Sequence, residues 1–319
     1  MPNIITHTLF ADEMLEKLNN ELLTSRKQLF EVGSNGPDFL FFHNLTPTSF
    51  LKTNKLRKLG SAIHKGKINE FYRKAIDIIR NEKDPEIQKD MIAYVAGHLC
   101  HWALDSTTHP YVFYRTGDCK GESAWQHHRF ESMVDAIMLK VKRNQTVETY
   151  DITKICDLSL EQARAIIRIY KPIGEEIFGV KANPHEYYQS LQDWHFMQKA
   201  FHDKTGIKFN TINTIERIFN KEYIVSGCIV PNNTEEPYDT MNIMKKRWVH
   251  PCNDEKILND NFFELYDKAQ NLAMKIIPVF LKAIEQEDSV GDFMYILHDK
   301  NYNLGMNKSL PMKYFDVIY

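Results

Sequence analysis

Long hydrophobic runs are missing from this chain. The apolar knot FLFF at Phe39 to Phe42, like every other apolar run in the chain, falls far short of the ~18 residues that a membrane-spanning helix needs. No C-x-x-C pair occurs, and the five cysteines (Cys100, Cys119, Cys156, Cys228 and Cys252) are odd in number and scattered. A disulfide framework is therefore excluded, and the pattern fits reduced thiols in a reducing compartment. Neither charge dominates: the net charge is −2, with Lys and Arg interspersed among Asp and Glu. No basic stripe stands out, so a stable nucleic-acid partner is not expected. Internal repeats and low-complexity tracts are also lacking, and strand-like alternations are few. The first fifteen residues, MPNIITHTLFADEML, have no basic n-region, continuous apolar core or small-residue cleavage site. The expectation is a cytoplasmic protein without a transmembrane segment.

What is present is helical periodicity and enough apolar residues, 43% of 319, to bury a substantial core. A first helix is expected over about 5–23. A long irregular connection over 32–60 follows, whose Gly, Pro, Asn and Thr residues mark turns. A second helix is expected over about 61–81. Asp84-Pro85 then reads as an N-cap followed by proline at the first helical position. The third helix should end or kink at His109, because Pro110 disfavours α conformation in the residue before it. A fourth spans about 124–142, and helices at about 159–179, 184–204, 208–222 and 260–286 fill the second half. The fold class is all-α, a single multi-helix domain over 1–290, with 291–319 an extension packed on it or frayed.

Chemistry concentrates on two of these helices. In AYVAGHLCHWALDSTTHPY, His98, His101, Asp105 and His109 recur every three or four residues and share one helix face. In WQHHRFESMVDAIML, His127, Glu131 and Asp135 step by four. A solvated face would favour Lys, Arg and Glu over histidines. Two helices that each present imidazoles and carboxylates at ligand spacing are instead what a multinuclear metal site requires. His7, Asp38 in a G-P-D turn and His64 are outlying candidates, each ordinary when taken alone. His128 competes with His127, but only His127 lies four residues before Glu131. His185, His195 and His202 lack carboxylates at ligand spacing and read as structural. The knot Phe39-Phe41-Phe42 reads as core rather than a lipid-contacting lip.

The ordered set His7, Gly36-Pro37-Asp38, His64, H-x-x-x-D at 101–105, His109-Pro110 and H-x-x-x-E at 127–131 resembles the zinc-dependent phospholipase C family. That family lies within the superfamily that includes the P1/S1-type single-strand nucleases. The resemblance is strong over about 3–145 and loose beyond. It implies an α-helical domain with a di- or tri-zinc cluster that cleaves phosphodiesters by a zinc-bound hydroxide attacking phosphorus. Carried over by position, one zinc would take Asp38, His64, His101 and a bridging Asp105. A second would take His109, His127 and Glu131, and a third His7, Asp105 and the N-terminal amine, exposed at Pro2 after loss of Met1. Asp38 would also position or deprotonate water, with His98, His128 and Asp135 as supporting residues behind the ligands. The expected partner is a phosphodiester, with phospholipid among the candidates. Two alternatives remain: a P1/S1-like nuclease or small-molecule phosphodiesterase, and a non-catalytic protein whose metals hold its helices together.

Overall fold

The computed structural model of the protein describes residues 4–46, 49 and 52–319. Among these, twelve α-helices account for nearly all regular structure: α1 (Ile4–Leu18), α2 (Glu21–Ser25), α3 (Lys27–Gly33), α4 (Lys55–Lys65), α5 (Ile68–Asn81), α6 (Pro85–Thr116), α7 (Glu122–Arg143), α8 (Leu160–Glu176), α9 (Pro184–Phe201), α10 (Ile207–Ile218), α11 (Phe262–Glu285) and α12 (Val290–Leu297). The all-α reading holds. The one sheet is a two-stranded antiparallel hairpin, β1 (Trp248–His250) and β2 (Asn253–Leu258), too short for the sequence pattern to reveal. None of the helices is long and apolar enough to cross a membrane.

Helix α6 is the axis. The Asp84 side chain accepts from the backbone N–H groups of Glu86 (3.0 Å) and Ile87 (3.3 Å), and Pro85 occupies the first turn, as its sequence signature promised. The expected break at His109 does not occur; α6 continues through Pro110 to Thr116. Proline removes one backbone hydrogen bond, to the Ser106 carbonyl, at a cost of ~3 kcal/mol. Burial of almost every side chain from Met91 to Phe113 outweighs that loss.

Glycines set how closely α3 approaches this axis. A Cβ on Gly33 would stand 2.1 Å from the Tyr94 carbonyl oxygen, and one on Gly97 2.0 Å from that of Phe30. The two backbones therefore touch, which lays the turn after α3 directly over α6. That turn runs into a 3-10 segment, Asp38–Phe42, so the expected loop over 32–60 is largely ordered by short helical pieces. The expected helix over 61–81 is two helices, broken at Gly66 and at Lys67, whose φ is 60°. His64 thus closes α4 instead of opening a longer helix. The expected helix over 5–23 is likewise split, at Asn19-Asn20, into α1 and α2.

In the second half, side-chain capping boxes start α8 (Ser159 with Gln162), α9 (Asn183 with Glu186) and α11 (Asn261 with Glu264). Helix α11 packs along α6, and both contribute to one continuous apolar core with α1, α5 and α8. Beyond α12 the chain returns to α6. Tyr302 is fully buried, and a Cβ on Gly305 (φ 60°) would lie 2.1 Å from the Ser106 carbonyl oxygen, the one that Pro110 leaves without its helical donor.

Candidate metal centre

The structure brings all eight proposed ligands together. They form three groups in which one donor atom from each residue lies within 4.8 Å of the others: His7, His101 and Asp105; Asp38, His64 and His101; His109, His127 and Glu131. All eight are buried. Five separate pieces of chain supply them: α1, the 3-10 segment, α4, α6 and α7.

The spacing within the groups is compatible with a coordination shell. His7 Nε2 lies 3.2 Å from Asp105 Oδ1, His101 Nε2 3.1 Å from Asp105 Oδ2, and His64 Nε2 3.2 Å from Asp38 Oδ1. Glu131 Oε1 stands 3.1 Å from His127 Nε2 and 3.6 Å from His109 Nε2. Tetrahedral zinc with bonds of 2.0–2.1 Å spaces its donors at about 3.3 Å. At two of these atoms, His101 Nε2 and Asp38 Oδ1, burial leaves no hydrogen-bond partner. Buried polar atoms are seldom left so, and a cation between them would satisfy both. His109 Nε2, 3.5 Å from Asp105 Oδ1, links the third group to the first.

The far nitrogen of three ligand rings is fixed. His64 Nδ1 donates to the Gly60 carbonyl (2.8 Å) and His109 Nδ1 to the Tyr302 carbonyl (3.1 Å). The Thr116 hydroxyl gives its proton to the Val112 carbonyl, so it accepts from His127 Nδ1 at 3.1 Å. In each ring Nε2 is left as the basic nitrogen facing the cluster. Gly36 holds the Asp38 turn against the His101 ring: its φ is 52°, and a Cβ there would sit 2.2 Å from that ring.

Electrostatics follow from burial and crowding. Burial pushes the His101 pKa well below its ordinary value, reinforced by the neighbouring imidazoles of His7 and His64. Burial alone would raise the Asp38 carboxyl, but His64 beside it holds it below the usual carboxylate range. Glu131 is likewise held down, with His127 and His109 offsetting its burial. Burial lowers His127, whereas at His109 the carboxylates of Asp105 and Glu131 outweigh burial and raise the pKa.

The three supporting residues divide. His98 meets none of the ligands by hydrogen bond. Its Nδ1 faces the Tyr72 hydroxyl (2.7 Å) and its Nε2 that of Tyr170 (3.1 Å), and burial lowers its pKa to about 3. It belongs to a buried tyrosine network that continues through Tyr94 to the Gly36 carbonyl. Asp135 accepts from Thr6 N (2.8 Å), Thr6 Oγ1 (2.5 Å) and Ile5 N (3.1 Å), anchoring the first turn of α1 and through it His7. His128 is half-buried and lines the cavity. The N-terminal amine lies outside the described residues. His185, His195 and His202 stay away from the cluster, where His195 lies 3.6 Å from Asp157.

Tyr302 was invisible to pattern reading. Its backbone N–H donates to the His64 carbonyl (3.2 Å), its carbonyl accepts from His109, and its ring packs on those of His64 and His101 at 5.1 and 5.3 Å between centroids. It sits in NYNLG, a turn without periodicity, so no signal in the sequence pointed to it. The cluster opens to a cavity of about 620 Å³ lined by His64, His109, His127, Phe41, Phe113 and the C-terminal segment Ser309–Met312. Phe39 and Phe42 are core, while Phe41 is half-buried and faces this space.

Fold and site together define an all-α protein with a histidine–carboxylate cluster suited to several metal ions. The family model for zinc-dependent phospholipase C matches residues 6–211, and the chain belongs to that family. No curated protein and no solved structure matches it.

Proposed function

We propose that this chain is a zinc-dependent phosphodiester hydrolase of phospholipase C type, acting in the cytoplasm. The observation that carries the reading is the run of three His–carboxylate groups, two of them sharing His101, which reaches a cavity of about 620 Å³ through His64, His109 and His127. Asp38, His64 and His101, with Asp105 beside them, would hold one zinc, and His109, His127 and Glu131 would hold a second. His7 and Asp105 are the groups available to a third. When bound, zinc supplies positive charge against the phosphate diester and makes water acidic enough to ionise near pH ~7.

The protein's own groups do the positioning. Asp38, held ionised, is only an acceptor near neutral pH, so it orients attacking water and receives its proton. Gly60, Thr116 and the Tyr302 carbonyl keep the imidazoles in one tautomer and one orientation. Phe41 and Phe113 narrow the aqueous side of the cavity.

The test is hydrolysis of phosphatidylcholine, a chromogenic diester and single-stranded nucleic acid, run in parallel on protein of known metal content. Cleavage of the lipid with two or three metals per chain is the expected result. Full occupancy with no turnover on any substrate would overturn the reading and leave the metals a structural role.

A further inference from the structure

A near-neutral total conceals one strongly one-sided segment. Between Asp38 and Glu70 the sequence contains no acidic residue, but it carries Lys52, Lys55, Arg57, Lys58, Lys65 and Lys67. The stretch includes α4, the helix that ends by delivering His64. Arg57, Ser61 and Lys65 step by four along one side of α4, and all three line the cavity beside His64. Lys55 pairs with Glu186 (2.9 Å) and Lys67 lies 4.0 Å from Glu70, but Arg57 and Lys65 have no ion-pair partner among the described residues. The cavity's one carboxylate outside the ligand set, Asp118, is already taken by Lys120 at 2.7 Å. An uncompensated guanidinium and ammonium therefore face the space next to the ligands, with no free acid to receive a cationic headgroup.

We propose that Arg57 and Lys65 form an anion subsite beside the metal centre, so that the preferred substrate is a glycerophospholipid whose headgroup carries its own negative charge. This rests on the phospholipase C reading. Two observations favour a lipid over a nucleic acid. One part of the lining is an apolar wall of Phe41, Phe113, Leu304, Leu310, Pro311 and Met312, suited to a glyceride, while Asn301, Asn303 and Ser309 add neutral polar groups. Helix α10 and the residues after it also leave Ile215, Ile218 and Phe219 50%, 72% and 72% exposed. Lys221, two residues beyond Phe219, pairs with Glu122 (3.3 Å), which stands in the chain between the lining residues Lys120 and Ala124. Guanidinium and ammonium donors to a carboxylate or phosphate form short charge-assisted hydrogen bonds, and a diester without that group leaves them unpaired.

The zinc-loaded full chain is assayed on short-chain phosphatidylserine, phosphatidylglycerol and phosphatidylcholine below their micellar concentrations, with a chromogenic diester and a single-stranded oligonucleotide alongside. Cleavage of the chromogenic diester establishes that the centre works, and its failure would count against the phospholipase C reading itself. Given that activity, the expected result is a kcat/KM for phosphatidylserine about tenfold above that for phosphatidylcholine, carried mainly by KM. Phosphatidylglycerol, whose headgroup is uncharged beyond the scissile phosphate, should fall between the two, lacking both the carboxylate of serine and the cation of choline. Arg57→Gln with Lys65→Gln should bring the serine-to-choline ratio to about one, while Arg57→Lys with Lys65→Arg retains most of it. Melting curves and metal counts confirm that the variants fold. Equal rates on the monomeric lipids, a ratio unmoved by the double Gln variant, or faster cleavage of the oligonucleotide would each overturn the proposal. A preference that emerges only on anionic vesicles would overturn it too, because adsorption to a charged surface needs no subsite.

Discussion

Asp105 offers one carboxylate oxygen to His7 and His109 and the other to His101, so it stands where the groups meet. Its replacement by Ala should cost more metal than loss of any single imidazole, reducing two or three ions per chain to about one by elemental analysis. Unchanged occupancy would show that no ion is bridged there. Asp38→Asn keeps the shape and removes the charge; turnover should fall by ~10²-fold or more, and wild-type activity at full metal content would remove Asp38 from the chemistry. Gly36→Ala tests the turn instead of the ligands. A left-handed φ and a methyl forced into the His101 ring should lower stability by about 2 kcal/mol or more, seen as a lower Tm. At this scale the sequence was most informative where helical spacing put donors on one face, as at His101, Asp105 and His109. It said nothing of Tyr302 or Thr116, whose roles depend on contacts made in three dimensions and not on their neighbours in the chain.

Helices carry the ligands, so their ends and tethers tune the centre. Asp135 on α7 ties down the start of α1, and Asp135→Ala should release His7 while leaving the His109, His127 and Glu131 group intact. The expected readout is loss of one metal at most, with the remaining ions still bound. On α6, the raised pKa of His109 sets a sign for pH. A raised imidazole is protonated up to a higher pH than the ordinary ~6.5, and that proton must leave before Nε2 can bind a cation. Zinc affinity should therefore increase between pH 6.5 and 8 in competition titrations; a flat profile would show that His109 is not a ligand. Element boundaries were legible where caps announce them, as at Asp84-Pro85. They were misread where tertiary packing overrides local preference, as at Pro110, and where a single left-handed residue, Lys67, divides what periodicity alone would join.

Across the whole molecule, the candidate centre gathers side chains from α1, the 3-10 segment, α4, α6 and α7 into one buried site. Each ion held at a free concentration 100 times its Kd would add about 2.7 kcal/mol to the stability of the folded state. Two such ions imply that chelation lowers Tm by roughly 10 °C. A melt unaffected by chelation of protein shown to contain metal would contradict that coupling. The all-α class and the candidate ligands on α6 and α7 could be read from periodicity, whereas His7, Asp38 and His64 joined them only through their order in the family resemblance. The contribution of the last thirty residues could not be read, because it depends on one tyrosine and one glycine meeting α6 across some two hundred positions of chain.

That distance has a consequence in time. Tyr302 braces His64 and His109, and Gly305 covers the Ser106 carbonyl, only once the final segment has been synthesised and has docked. Contacts so remote in sequence close late, after the local helical pairings on which they rest. Without residues 300–319 the eight candidate ligands would lack the segment that braces His64 and His109. In the proposed hydrolase, competence would then appear only when that segment docks, after the helices that carry the candidate ligands have packed.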